Sequence, residues 1–151
     1  MVPHNQASVF AGLVLLGTAA LLTAAPQDAA KLELRRAETK PAEGLVEATV
    51  SGTNTKIYLY KAVELSNSDI ESARAVGEDS PGVEVTFSAL GRGKAAKLSK
   101  EHRGKPLAIL VDGKVVAAPI VRTDLGPAVL ITGQFTKAEA ERLANGLTGK
   151  K

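Results

Sequence analysis

Residues 104–120, GKPLAILVDGKVVAAPI, constrain the fold more than any other stretch of this chain. Two short runs of Val, Ile, Leu and Ala flank Asp112-Gly113, a dipeptide suited to a two-residue hairpin turn whose central residues both need positive φ. The pattern predicts an antiparallel hairpin. Residues 131–147, ITGQFTKAEAERLANGL, follow a different rule. Thr136 stands three residues before Glu139, so hydroxyl and carboxylate can each satisfy a free backbone N–H at a helix start. Ala140, Leu143, Ala144 and Leu147 then fall on one apolar stripe. Neither run holds a nucleophile, a metal-ligand set or a phosphate loop, so both speak of architecture before chemistry.

The rest of the chain supplies the other layers. Residues 32–35 and 46–50 alternate at period two, with a turn at 40–44 between them, and either strand suits a sheet edge. Residues 57–65 predict the next strand. Ser66 to Asp69 and Ser68 to Glu71 then have cap spacing, and Ile70 and Ala73 form an apolar stripe, which predicts a short helix ended by Ser80-Pro81-Gly82. Residues 83–89 put Val83, Val85, Phe87 and Ala89 on one side, as in an antiparallel sheet with one wet face. Residues 91–103 predict a second helix, with Ala95 and Leu98 inward and Lys94, Lys97 and Lys100 outward. After the hairpin, where Pro119 sits near the end of the second strand, residues 128–132 predict a last strand before the terminal helix. Strands with helices gathered on one face of a mostly antiparallel sheet give an α+β sandwich of ferredoxin-like character.

Residues 7–25, ASVFAGLVLLGTAALLTAA, carry no charge and end in small residues. Their length is close to the ~20 residues that cross a bilayer as a helix. They predict an export signal or a retained membrane anchor. All 19 Lys and Arg lie at or after Lys31, and a positive-inside bias would then hold the following domain in the cytoplasm, against the export reading. The expected division is residues 1–30 as signal or anchor with a short linker, 31–55 as N-terminal strands or linker, and 56–151 as the main domain. The chain has no cysteine, which excludes disulfides, thiol catalysis and thiolate metal sites. Of its two histidines, His4 and His102, the second reads as a solvated helix residue among lysines. No metal or cofactor is expected.

From about Tyr60 to Gly149 the chain resembles the head subdomain of the first large periplasmic region of SecD, the bacterial accessory subunit of the preprotein translocase. The likeness rests on Val63, Leu65, Ile70 and Ala73, on Val83, Val85, Phe87 and Gly91, and on Leu98-Ser99. It is most specific at Gly104-Lys105, Leu107-Ala108-Ile109, Asp112-Gly113 and Ala118-Pro119, and at Ile131-Thr132-Gly133, Phe135-Thr136, Glu139, Ala140, Leu143-Ala144 and Leu147. Ala95 departs from the phenylalanine usual there. The resemblance implies a domain that is exported, periplasmic or anchored to the cytoplasmic membrane facing the periplasm, and that holds or guides polypeptide leaving the translocon. SecD continues beyond the point matching Lys151 into a membrane part driven by protons. The one apolar segment here has no ionisable side chain for a proton path, so a stand-alone module is expected, not the pump.

The leading expectation is thus a non-catalytic module binding exported polypeptides or Sec translocon components, through an open strand edge or an apolar groove. The alternative is an envelope structural or assembly protein that uses the domain only for subunit contacts. Candidate polypeptide contacts, chosen on expected exposure, are Tyr58, Tyr60, Arg92, Lys97 and Arg122, with membrane association through residues 7–25. Asp112, Gly113, Thr136 and Glu139 have turn and cap roles. Nucleic acid is not an expected partner, because residues 83–89 offer only Phe87 for stacking, and on the core side. Tyr58 and Tyr60 share a strand face and also read as packing or edge residues. An enzyme is not expected: Gly91-Arg92-Gly93-Lys94 lacks the Gly-Lys-Ser/Thr ending of a phosphate loop, and Asp69, Glu71, Glu139 and Glu141 suit caps, dipoles or surface.

Overall fold

Strand β7 (Leu107–Val111) reads LAILV, apolar at every position, and its first four residues are buried. That suits a strand covered on both faces. The structure, a computed structural model, describes residues 29–148. In it β7 pairs with β1 (Leu32–Glu38) on one side and β8 (Lys114–Ala117) on the other. Asp112 at φ 51° and Gly113 at φ 81° make the β7–β8 turn. Beyond β1 lie β3 (Lys56–Leu59) and the two-residue β4 (Leu65–Ser66), and β2 (Val46–Thr49) gives the order β2-β3-β1-β7-β8. A second sheet has β6 (Gly82–Phe87) between β5 (Ile70–Val76) and β9 (Ala128–Thr132). Every pairing among these strands is antiparallel.

Two helices complete an α+β fold. Helix α2 (Lys137–Thr148) lies over β5 and β6, and α1 (Ala89–Glu101) rests against a 3-10 turn at Asn67–Asp69 and against β4 and β6. The strands divide between two sheets, where the ferredoxin-like expectation implied one. Of the two N-terminal strands, β2 stands at an edge and β1 at the centre of its sheet. Residues 7–25 lie outside the described residues. Among the described residues no helix is long and apolar enough to cross a membrane.

The helix expected over residues 66–77 is absent; the 3-10 turn and β5 occupy that stretch. Asp69 accepts the Ser66 N–H at 3.0 Å and closes the turn after three residues. Asn67 is committed elsewhere, accepting the Leu32 N–H at 2.6 Å and donating to the Ala30 carbonyl at 2.7 Å. The misleading stripe has its own cause. A bulge between Ile70 and Ser72 sets two residues of β5 against one of β6, so Ile70 opposite Phe87 and Ala73 opposite Val85 share a face although three positions apart. Spacing of three, a helix signal in sequence, arises here from a bulged strand.

The main core lies between the sheets and the helices. Leu32, Leu34, Leu107 and Ile109 of the first sheet meet Val83, Val85, Phe87 and Ile131 of the second, with Leu98, Leu143 and Leu147 from the helices. Each such side chain, fully buried, contributes about 1.5–3 kcal/mol. The other face of the first sheet carries a smaller cluster of Ala37, Ile57, Leu59, Ala108, Leu110 and Val115. The sheet curls round this cluster: the Ser51 N–H, at the tip of the β2–β3 hairpin, donates to the Val115 carbonyl of β8 at 2.8 Å.

Close backbone approaches seat α1 and α2. Ser88 caps α1 by accepting the Gly91 N–H at 3.1 Å, and its own N–H donates to the Asp69 carbonyl at 2.8 Å. A Cβ on Gly91 would collide with that same Asp69 carbonyl oxygen and stand 3.0 Å from the Asp69 Cβ. At the far helix, a Cβ on Gly146 would stand 2.8 Å from the Ala30 nitrogen, so the start of the described chain runs against the end of α2.

Candidate functional site

The β2–β3 hairpin builds one wall of an open cleft. Its tip folds on itself, with the Val50 N–H donating to Thr55 O at 2.9 Å, the Thr53 hydroxyl donating to Val50 O at 2.8 Å and Gly52 at φ 74°. The opposite wall is the segment after β8, where Ala118 and Ile120 stand beside Pro106, held by a bridge between Pro106 and Ile120. Ile57, at the margin of the smaller cluster, and Val50 line the cleft with them, and its volume is about 370 Å³. Thr39, Thr53 and Thr55 place hydroxyl-bearing side chains along it, and Lys56 is its one charged lining residue. Lys56 pairs with Glu47 at 2.9 Å, which raises its pKa. The arrangement offers apolar surface, 39% exposed at Ile120.

A bonded cluster behind the cleft fixes its wall. His102 is 3% exposed, and its Nε2–H is shared between the carbonyls of Ala37 at 3.0 Å and Pro106 at 2.9 Å. The expectation of a solvated His102 is therefore corrected: with Ala95, Leu98 and Ser99 it completes the buried stripe of α1. Its ring meets that of Tyr60 edge-on at 6.4 Å. The Tyr60 hydroxyl donates to Glu38 Oε1 at 2.9 Å, and Lys105 donates to the same oxygen at 2.8 Å. Arg36 lies 4.8 Å over the Tyr60 ring and pairs with Glu64 at 2.8 Å. The Lys105 hydrogen bond, with that of Tyr60, holds the Glu38 carboxyl below the usual range against the opposing effect of burial. These are structural ties. They set the course of residues 37–39 and 105–107, which carry Thr39 and Pro106 into the cleft.

The five candidate contact residues do not gather in one place. Tyr60 is engaged in the cluster just described, and Tyr58 is half-buried on β3, opposite Glu38 of β1 and Glu47 of β2. Arg92 and Lys97 are exposed on α1, but five residues at 100° each turn them about 140° apart. Arg122 is exposed two positions beyond Ile120. Asp112 accepts the Lys31 N–H through Oδ1 at 2.9 Å and donates its own N–H to Lys31 O at 2.9 Å, so its turn also grips the start of β1. Thr136 and Glu139 bond reciprocally, the Glu139 N–H to Thr136 Oγ1 at 3.2 Å and the Thr136 N–H to Glu139 Oε2 at 2.8 Å. Sequence reasoning missed Thr39, Val50, Ile57, Pro106, Ala118 and Ile120, because a cleft made by curling a sheet leaves no local period. Among the described residues no group of three or more His, Asp or Glu side chains is placed to hold a metal ion.

Two curled antiparallel sheets with two helices, and an apolar cleft at the margin of one sheet, define the class of this domain as α+β. Within that class, the family model described as SecDF, P1 head subdomain, matches residues 43–150, and the chain belongs to that family. It is 40% identical over 90 residues to the protein translocase subunit SecD of Elusimicrobium minutum, covering 58% of this chain and 19% of that protein. It is 35% identical over 83 residues to the SecDF subunit of Thermus thermophilus, covering 53% of this chain and 11% of that one. A solved SecDF structure in a super-membrane-facing form matches with a TM-score of 0.67 at 27% identity, over 83% of this chain and 19% of that chain. The chain thus spans a fifth or less of the length of these relatives.

Proposed function

We propose that this domain acts in protein export on the far side of the cytoplasmic membrane, holding extended polypeptide without catalysing any step. Family membership carries the setting, since a structurally similar relative is described as a membrane component that enhances protein export. The cleft carries the means. Apolar side chains of an extended client would enter it over Val50, Ile57 and Ile120, while the hydroxyls of Thr39 and Thr55 beside it offer hydrogen bonds to client backbone. Neither contact requires a particular client sequence, as export of many different chains demands. Partners on this reading are exported polypeptides, together with Sec translocon components. Residues 1–30 serve as export signal or anchor and residues 31–151 as the working part. Of the residues named from the sequence, Arg122, two positions beyond Ile120, is the contact of first choice, whereas Tyr58, Tyr60, Arg92 and Lys97 are not among the cleft's lining residues.

The test is binding of a permanently unfolded reporter polypeptide, measured by fluorescence anisotropy. Ile120→Asp places a charge where apolar side chains would sit, at a position exposed enough to leave the fold intact. Affinity is expected to fall at least about tenfold, equivalent to about 1.4 kcal/mol, with an unchanged circular dichroism spectrum. Equal affinity in the variant, or a preference for folded over unfolded reporter, would refute the proposal.

A further inference from the structure

Helix α1 turns a cationic face outward. Opposite its buried stripe of Gly91, Ala95, Leu98, Ser99 and His102 stand Gly93, Lys97 and Lys100, with Leu90 at the margin, while Arg92 lies beside buried Ser99 on the other flank. Leu90 is 80% exposed, the most exposed large apolar side chain among the described residues. Lys97 has only a long contact, 3.9 Å, with Glu101, and Arg92 and Lys100 stand outside the ion pairs formed among the described residues. An exposed leucine beside one weakly paired and one unpaired lysine suits a surface that is anionic outside and apolar beneath.

The path of the chain brings such a surface near. Asn67 holds Ala30 and Leu32 through its side chain, and the turn containing Asn67 also carries the Asp69 carbonyl on which Ser88 and Gly91 of α1 are seated. The chain therefore enters the fold beside the first turn of α1. From Ala25, the end of the uncharged run, to Ala29 the backbone reaches at most about 14 Å. We propose that the outward face of α1, Leu90 with Lys97 and Lys100, docks on the anionic headgroups of the bilayer that holds residues 7–25. This rests on reading residues 7–25 as bilayer-inserted. That lead lets α1 come within the about 8 Å over which the lipid surface potential decays at physiological salt.

The chain's lack of cysteine permits single-site labelling. Gly93→Cys puts an environment-sensitive fluorophore at the centre of the face, where an added Cβ meets nothing within 4 Å. Asp79→Cys, in the turn at the far end of β5, is the control. The full chain is reconstituted into nanodiscs of phosphatidylcholine with and without phosphatidylglycerol. Iodide quenching at position 93 is expected to fall at least about twofold with phosphatidylglycerol, to recover at high salt, and to show no such fall after Lys97→Glu and Lys100→Glu combined. Position 79 should not respond. No protection at position 93, protection equal at both positions, or protection by unfolded polypeptide in place of lipid each overturns the proposal. Flotation with neutral vesicles reports insertion of residues 7–25 separately. Flotation without lipid-dependent protection at position 93 rejects the α1 surface and retains the anchor; protection without flotation retains the surface and rejects the anchor.

Discussion

Gly91→Ala should separate packing from helix propensity in α1. The added methyl would meet the Asp69 carbonyl oxygen far inside van der Waals contact and lie 3.0 Å from the Asp69 Cβ, against the about 3.5–4.0 Å of a relaxed carbon contact. Both obstacles belong to the backbone or first side-chain atom of a fixed turn, so α1 must retreat. Retreat lengthens the Ser88 N–H bond to Asp69 and disturbs the pairing of Lys94 with buried Asp69 at 2.8 Å. Overpacking costs about 1–3 kcal/mol and the hydrogen bond about 1, while alanine returns about 1 through helix propensity. The net loss is about 2 kcal/mol. Gly93→Ala, two residues on, has open space around its new methyl and should gain up to about 1 kcal/mol by the same propensity. Urea titrations followed by circular dichroism give both values. A Gly91→Ala protein as stable as the parent, or a Gly93→Ala protein equally destabilised, would refute the seating of α1 on Asp69.

Val115→Asp should lose several kcal/mol or leave the chain unfolded, because Val115 is buried in the smaller cluster with no cation to meet the charge; native-like thermal melting of the variant would contradict it. Thr136→Ala removes the acceptor of the Glu139 N–H and should cost about 1 kcal/mol in the urea midpoint. Stability should also fall in acid. Glu33, through its hydrogen bond from Lys31 and then that from Arg35, and Glu38, through that from Lys105, are both held below the ordinary carboxylate value of about 4.3. The unfolded chain then binds more protons, so their contribution is complete above that value and is lost as pH falls through the lowered folded values. Glu38→Gln should be less stable at neutral pH and show a shallower decline in acid; a parallel decline would remove Glu38 from the account.

What the sequence revealed was local. The β7–β8 hairpin could be read because the backbone demand of its turn is written in Asp112-Gly113, and the terminal helix because Thr136 and Glu139 open an unbroken apolar stripe. The family likeness was legible for the same reason, since its specific blocks coincide with these elements. What failed depended on distant partners. The bulge in β5 is fixed by β6 across the sheet and cannot be told from a helical stripe in Ile70 and Ala73 alone. His102 looked solvated because one acceptor, Ala37, lies 65 residues away in the chain and the other, Pro106, is brought to it only by the turn that follows α1. The cleft was hidden most completely, for it exists only once Ser51 reaches Val115.

The contact of Gly146 with Ala30 means that the two leads of the described chain leave side by side. A short Gly-rich splice from residue 148 to residue 29 should therefore close the polypeptide into a ring without strain, and new ends could be opened at the exposed residues 123–124. The same geometry makes the lobe transplantable: inserted into a surface loop of an unrelated host, it would ask that host to part its chain only narrowly.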